Sequence, residues 1–299
     1  MRGNPQPGRH PADLTEGTVG LGIRIGTNVA AMTAQRHLAN ATARVTRSME
    51  RLSSGLRINR AADDPAGLAI SERLRGQMRA LDVAGRNAAD GISLLQVADG
   101  GLESVGDLLI RLNELAEQAM TGTVSDEQRG FLDIEFQALV DEIDRISVAV
   151  TFNGVRLLDG SGGNPGVQVG TGSDEGSQIP LGLSGSFSAA SLGLDGLSLT
   201  GDPASWTVQP LTALAAARQK VSAGRASFGA SQNRLESTIR MVQNQRENLA
   251  AADSRIRDVD YAAELSELTS AQILQQMAVA ILAQAQRQPA LALRLLGIK

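Results

Sequence analysis

Leu214, Val221, Phe228, Leu235, Val242, Leu249 and Ile256 follow one another at steps of seven. Seven residues make about two turns of α-helix, so these side chains form one stripe. The companions three residues on are small or polar: Ala217, Gly224, Ser231, Thr238, Gln245 and Ala252. A full apolar column beside a small one predicts a long rod packed closely on other helices, with its opposite face wet. At about 1.5 Å per residue the rod is about 65 Å long.

Similar patterns precede and follow it. Ile25, Val29, Met32, Leu38, Val45, Met49, Leu52 and Leu56 predict a first helix that stops near Ser53, Ser54 and Gly55, where glycine and two poor helix formers allow a bend. Asp64 is then a good N-cap with Pro65 at the first helical position. A second helix of about fifty residues carries Leu74, Met78, Leu81, Ala88, Ile92, Leu95, Leu102, Leu109 and Leu112. Its glycines cost about 1 kcal/mol each against alanine, so close packing or a bend is expected near Gly100 and Gly101. Ser125 or Asp126 caps a third helix striped by Leu132, Phe136, Leu139, Ile143, Ile146 and Val150. Residues 155–206 are Gly- and Ser-rich, with short strand candidates at 167–169 and 198–200. A break near Asp258 and Asp260 leads to a final helix with Leu265, Leu268, Leu274, Ala278, Ile281 and Leu295. The first twenty residues have no apolar period and read as disordered. Antiparallel pairing of the two ends is the simplest way to bury these stripes, with the middle at the far tip.

Composition narrows the chemistry. The 299 residues carry a net charge of -4, with 28 Lys and Arg against 32 Asp and Glu, so no basic excess argues for nucleic acid. There is no cysteine, which removes disulfides, thiol nucleophiles and Cys-based zinc sites. Aromatics are 2% in a chain that is 42% hydrophobic, as in close-packed Ala- and Leu-rich helices. No apolar run reaches the length of about 18 residues needed to span a bilayer. No apolar signal segment occupies the first twenty residues. His10 and His37 are isolated from one another, and no metalloprotease zinc motif is present. The glycines between Gly170 and Gly176 lack the spacing and the strand-to-helix context of a nucleotide loop. Asp63 and Asp64 are explained by a helix start. No catalytic set, cofactor site or metal site is expected, and the polar faces are not enriched in Lys and Arg as membrane-surface helices would be.

The residues also carry a resemblance. MERLSSGLRINRAADDPAGLAISERLR (49–75) and RNAADGISLLQVADGGL (86–102) closely resemble the amino-terminal region of bacterial flagellin. RASFGASQNRLES (225–237) and LTSAQILQQMAVAILAQAQ (268–286) resemble its carboxyl-terminal region. DRISVAVTFNGVRLLDG (144–160) is similar to the family's exit from the third helix into a β-hairpin. The resemblance covers roughly 21–160 and 207–299.

It implies a mainly α protein: a long antiparallel helical coiled-coil bundle from the N- and C-terminal halves, with a small β-hairpin region at the tip. The expected divisions are a disordered extension (1–20), an N-terminal inner-tube helix (21–57), helical core (58–154), a β-hairpin and surface segment (155–206), helical core (207–257) and a C-terminal inner-tube helix (258–299). The implied function is a structural subunit that polymerises into the extracellular flagellar filament, exported without a cleavable signal. The hook–filament junction protein and a helical secreted adaptor are the alternatives. Implied partners are other copies of the chain, an export chaperone, the filament cap, hook-associated junction proteins and a Toll-like receptor of animal innate immunity. Leu52, Leu56, Leu268, Leu274 and Ile281 are the candidates for polymerisation. The receptor patch of the family maps onto LIRLNELAEQ (109–118), where Arg111, Leu115 and Gln118 match, together with Glu135, while Ile110 departs. In the family the chain begins close to a segment like residues 21–31. Residues 1–20 are therefore expected either to be missing from the mature subunit or to change its inner packing.

Overall fold

The computed structural model describes residues 27–172, 174–200 and 209–295. The expectations for residues 1–20, His10, Ile25 and the side chain of Leu295 lie outside the described residues. The chain forms two compact units, one from the chain up to Asp64 together with Arg257 onward, the other from Pro65 to Ile256.

The first unit is an antiparallel pair, α1 (Val29–Ser54) and α6 (Tyr261–Leu295). The Asn28 side chain accepts from the Ala31 N–H at 2.9 Å and so caps the start of α1. Gly55 closes α1 in the left-handed region at φ 71°, a conformation that glycine adopts without steric penalty. Asp260 opens α6, its carboxylate accepting from the Ala262 and Ala263 N–H groups at 2.9 and 3.2 Å. The pairing direction is fixed by Asn28, which donates to the Ala285 carbonyl at one end (2.8 Å), and by Arg44, which donates to Glu267 further along (2.9 Å).

The buried face of this pair keeps Val45 and Ala278 from the expected stripes but not their large members. Ala34, Ala41, Val45 and Ser48 of α1 meet Glu264, Ala271, Ala278 and Ala285 of α6. Val29, Met32 and Met49 are exposed, while Leu38, Leu52 and Leu56 are half-buried. The period was read from the largest side chains, but two rods approach most closely through their smallest ones. Leu56 also lies beyond α1, in an isolated antiparallel bridge with Asp258.

The second unit holds α2 (Pro65–Ala119), α3 (Asp126–Ala149) and α5 (Gln209–Arg257), the last ending one residue into the first unit. α2 runs unbroken for 55 residues, about 80 Å of helix. Leu74, Leu81, Ala88, Leu95, Leu102 and Leu109 repeat every seven residues along it and are buried. Leu214, Val221, Phe228, Leu235 and Val242 of α5 are buried too, whereas Leu249 and Ile256 at the end of that stripe are half-buried. The two helices are antiparallel, tied by Arg225 to Asp99 (2.8 Å) and Arg246 to Asp82 (3.1 Å). On α3, Phe136 and Ile143 are fully buried, and Leu132 and Leu139 are half-buried.

Ser125 and Gln128 form a reciprocal capping box at the start of α3. Arg129 is buried behind it, donating to the Ala119 carbonyl at 3.1 Å and pairing with Asp126 at 2.6 Å. It thereby satisfies a carbonyl that the end of α2 leaves without a helical partner.

The segment after α3 starts with the hairpin β1 (Thr151–Phe152) and β2 (Val155–Arg156), turned by Asn153 and Gly154, both with positive φ. β3 (Gly166–Gln168) pairs antiparallel with β4 (Gln178–Pro180), and a short α4 (Ala189–Leu192) follows. The expected strand at 198–200 is not formed. Its Leu199 is fully buried, and its N–H donates to the Asp133 carboxylate of α3 at 2.6 Å. Rather than only capping a tip, the segment is laid along the flank of the helices. Asn87 of α2 donates to the Gln168 carbonyl, Gln137 of α3 to that of Leu197, and Lys220 of α5 to that of Ser191. Gly91 and Gly101 allow this approach. A Cβ on Gly91 would lie 2.9 Å from Val167, and one on Gly101 would lie 2.8 Å from both Leu158 and Val150. Close packing, not a bend, is the reason for Gly101 in α2.

Candidate assembly surface

A pair of long helices that buries alanine has its large side chains left over. On α1 these are Val29, Met32 and Met49, and on α6 they are Leu265, Ile273, Leu274, Met277, Val279 and Ile281, all about half or more exposed. Their polar neighbours are engaged along the flanks of the seam, where Thr42 accepts from Gln275 at 3.0 Å and Arg44 pairs with Glu267. Of the residues expected to serve polymerisation, Leu274 and Ile281 are exposed, and Leu52, Leu56 and Leu268 are half-buried. Water is a poor solvent for an apolar surface of this extent, and no described segment of the chain covers it.

The candidate receptor patch is built on α2 and α3. Arg111 donates through Nε and Nη2 to one oxygen of Glu135 at 3.0 and 2.7 Å, and through Nη1 to Glu114 at 3.0 Å. The hydrogen bonds to Glu135 first, then Glu114, raise the guanidinium's pKa above its ordinary value. Arg111, Glu135 and Gln118 are exposed. Leu115 is not part of that surface: it is 1% exposed and belongs to the core between α2 and α3. Positions i, i+4 and i+7 do share a helical face. That face, however, curves from solvent at Arg111 into the α3 contact at Leu115, so Leu115, expected in the patch, is a core residue. The apolar side chains that α3 does expose nearby in sequence are Phe131 and Ile134, at 64% and 68%, and neither stood out in the periodic pattern because both fall off the buried stripe.

Among the described residues no group of three His, Cys, Asp or Glu is placed to hold a metal ion, and no helix is long and apolar enough to cross a membrane.

Comparison with known proteins places this architecture. Residues 25–162 match the family model described as the bacterial flagellin N-terminal helical region, and residues 211–296 match the bacterial flagellin C-terminal helical region. A flagellin of Halalkalibacterium halodurans is 44% identical over 272 residues, covering 91% of this chain and 99% of that protein. The chain belongs to the bacterial flagellin family. The flagellar filament 33 kDa core protein of Treponema phagedenis is 42% identical over 275 residues, covering 87% of this chain and 95% of that one. A crystal structure of Bacillus cereus flagellin is also similar, at 33% identity and a TM-score of 0.46, covering 56% of this chain and 94% of that chain. The two flagellin models bracket residues 163–210, so both helical regions are family structure, and the Gly- and Ser-rich stretch between them falls outside the match.

Sequence reasoning missed that small residues line the buried seam of α1 and α6. Ala271, Ala278 and Ala285 stand at steps of seven in the sequence, as regular as any leucine column, and Glu264 continues the series backward. That signal was legible to a search for small residues at heptad spacing rather than large ones.

Proposed function

We propose that this flagellin is the structural subunit of an extracellular filament and that the outer face of the α1–α6 pair is where copies meet. The observation that carries this reading is the inversion of that pair: alanine inside, Leu274, Met277, Val279 and Ile281 outside. A monomer gains little from its alanine seam, and each large apolar side chain covered by a neighbour adds about 1.5–3 kcal/mol. The names of the relatives, flagellin and filament core protein, support the same reading. An export chaperone and a filament cap would act on the same exposed face before the subunit is seated. A receptor contact would rest on Arg111, Gln118 and Glu135, with Leu115 supporting them from within.

Seeded growth tests the proposal. Purified monomer added to filament fragments should elongate them under the electron microscope. Leu274→Asp combined with Ile281→Asp should abolish elongation and leave the helical circular dichroism of the second unit in place. Elongation by that variant at the wild-type rate would refute the assignment of this face.

A further inference from the structure

α3 carries two stripes, and its own chain buries only one of them. Phe136, Val140, Ile143 and Ser147 face the core. On the other side, positions 127, 131, 134, 138, 141, 145 and 148 alternate steps of four and three, the spacing of a helix-packing seam, and all are exposed. They include Phe131 at 64%, Ile134 at 68% and Val148 at 45%. α5 has a comparable stripe on its outer side: positions 216, 220, 223, 227, 230, 234, 237 and 241 alternate the same steps, and all are exposed. Small side chains such as Ala223 and Ala230 are interspersed there with Lys220, Arg234 and Met241. The two helices are also opposite in charge. α3 holds seven carboxylates against two arginines, and α5 holds eight cations against three carboxylates. Glu127, Asp141 and Arg234 form no ion pair among the described residues, and Lys220 uses one donor on the Ser191 carbonyl at 2.7 Å.

We propose that the exposed stripe of α3 in one copy packs on the exposed stripe of α5 in the next copy. This second contact adds to the one assigned to the α1–α6 pair and rests on the filament-subunit reading. It joins two different surfaces of one chain, the kind of contact that propagates into a helical filament when it does not close a ring. α3 and α5 both run opposite to α2, as the bonds from Arg129 to Ala119 and from Arg225 to Asp99 require. Successive copies in a filament keep one polarity, so α3 of one copy meets α5 of the next in parallel. With Glu127 level with Lys220, steps of seven then set Ile134 on Ser227, Asp141 on Arg234 and Val148 on Met241. In the adjoining column Phe131 lies beside Ala223 and Ala138 beside Ala230. Both unpaired acids gain a cation, and each large apolar side chain meets a small or apolar one. A slip of one heptad in either direction sets Ile134 against Lys220 or Arg234 and leaves Asp141 without a cation. A slip of two pairs one acid instead of two. Size and charge therefore select the same register, with the ion pairs orienting the contact and the apolar layers closing it.

Charge exchange in the full-length chain tests the pairing. Seeds of each variant are made in strong ammonium sulfate, which screens charge and strengthens apolar burial, and their growth is then followed at low salt. Asp141→Arg or Arg234→Asp alone should slow elongation at least about tenfold, because each sets like charges level across the contact. A variant that makes no seeds counts as not elongating. The two substitutions together in one chain should restore growth. All of these positions are exposed, so the helical circular dichroism of each monomer should be unchanged. The absence of native cysteine supplies a second readout. Chains carrying Ala138→Cys are copolymerised with chains carrying Ala230→Cys and oxidised. Covalent dimers should form in the mixed filaments and not in filaments of either variant alone. Ala138→Cys mixed with Ser237→Cys, one heptad or about 10 Å out of register, should give none. Wild-type growth rates for both single charge variants, an inactive double variant, or no dimers from the Ala138 and Ala230 mixture overturns the proposal. Failure of the filament reading shows separately, as wild-type chain that does not elongate its own seeds.

Discussion

In the α2–α3–α5 unit the seven-residue positions are filled by Leu95, Leu102, Phe228 and Leu235, all fully buried. In the α1–α6 pair the corresponding positions are Ala34, Ala41, Ala271 and Ala278, while Leu274 and Ile281 face outward. The period is the same and the allocation of size is reversed. Leucine on the seam makes a helix bundle that is complete within one chain. Alanine on the seam lets two helices approach closely but buries little area, so on the proposed reading the stabilising surface is the outer one. Both flagellin regions are present, and the two kinds of seam follow the division of the chain into two units.

The comparison breaks most visibly if one region is removed. Deleting residues 261–299 takes away α6 and leaves the second unit all its described packing partners. The truncated chain should stay folded, with most of its helical circular dichroism, and should not elongate filament seeds at all. Collapse of the helical signal would mean that the two regions depend on each other for folding.

The same substitution in each region should give opposite readouts. Leu115→Ala opens a cavity in a closed core and should cost about 2–5 kcal/mol in denaturant unfolding of the monomer. Leu274→Ala removes a side chain that is 47% exposed, so monomer stability should move by less than about 0.5 kcal/mol while seeded growth slows. An unchanged growth rate for Leu274→Ala would separate that residue from the assembly face. A stability loss at Leu115 well under 1 kcal/mol would contradict its placement in the core.

Much of this was legible in the sequence, and the limits have physical causes. Helix positions followed from period and caps: Pro65 starts α2, Ser125 caps α3 and Gly55 ends α1. The leucine columns of the second unit were read correctly because large apolar side chains there face the core. The same rule placed Val45 of α1 correctly but not Val29, Met32 and Met49, which are exposed. Leu115 was misplaced because sharing a face with Arg111 along one helix says nothing about where the neighbouring helix crosses it. The pairing of β3 with β4 and the flank position of that segment depend on contacts with Asn87, Asp133 and Lys220, which are remote in sequence.

A finer contrast lies within α2 itself. Gly100 and Gly101 are neighbours in one helix, yet a Cβ at Gly100 meets nothing within 4 Å, while one at Gly101 lies 2.8 Å from Leu158 and Val150. Gly101→Ala should therefore destabilise the monomer by about 1–3 kcal/mol through overpacking. Gly100→Ala should stabilise it by up to about 1 kcal/mol through helix propensity. Chemical denaturation of the two variants gives both signs. Equal effects would show that the flank segment is not seated against Gly101.

Amide hydrogen exchange, followed by peptide mass analysis in free monomer and in seeded filaments, bears most directly on the division between self-sufficient and assembly-dependent helices. Peptides from α2, α3 and the Leu214–Val242 part of α5 should be protected in both states. Peptides from α1 and α6 should exchange quickly in the monomer and become protected only in the filament. Equal and strong protection of α1 and α6 in the free monomer would contradict the account, because the alanine seam would then be sufficient on its own.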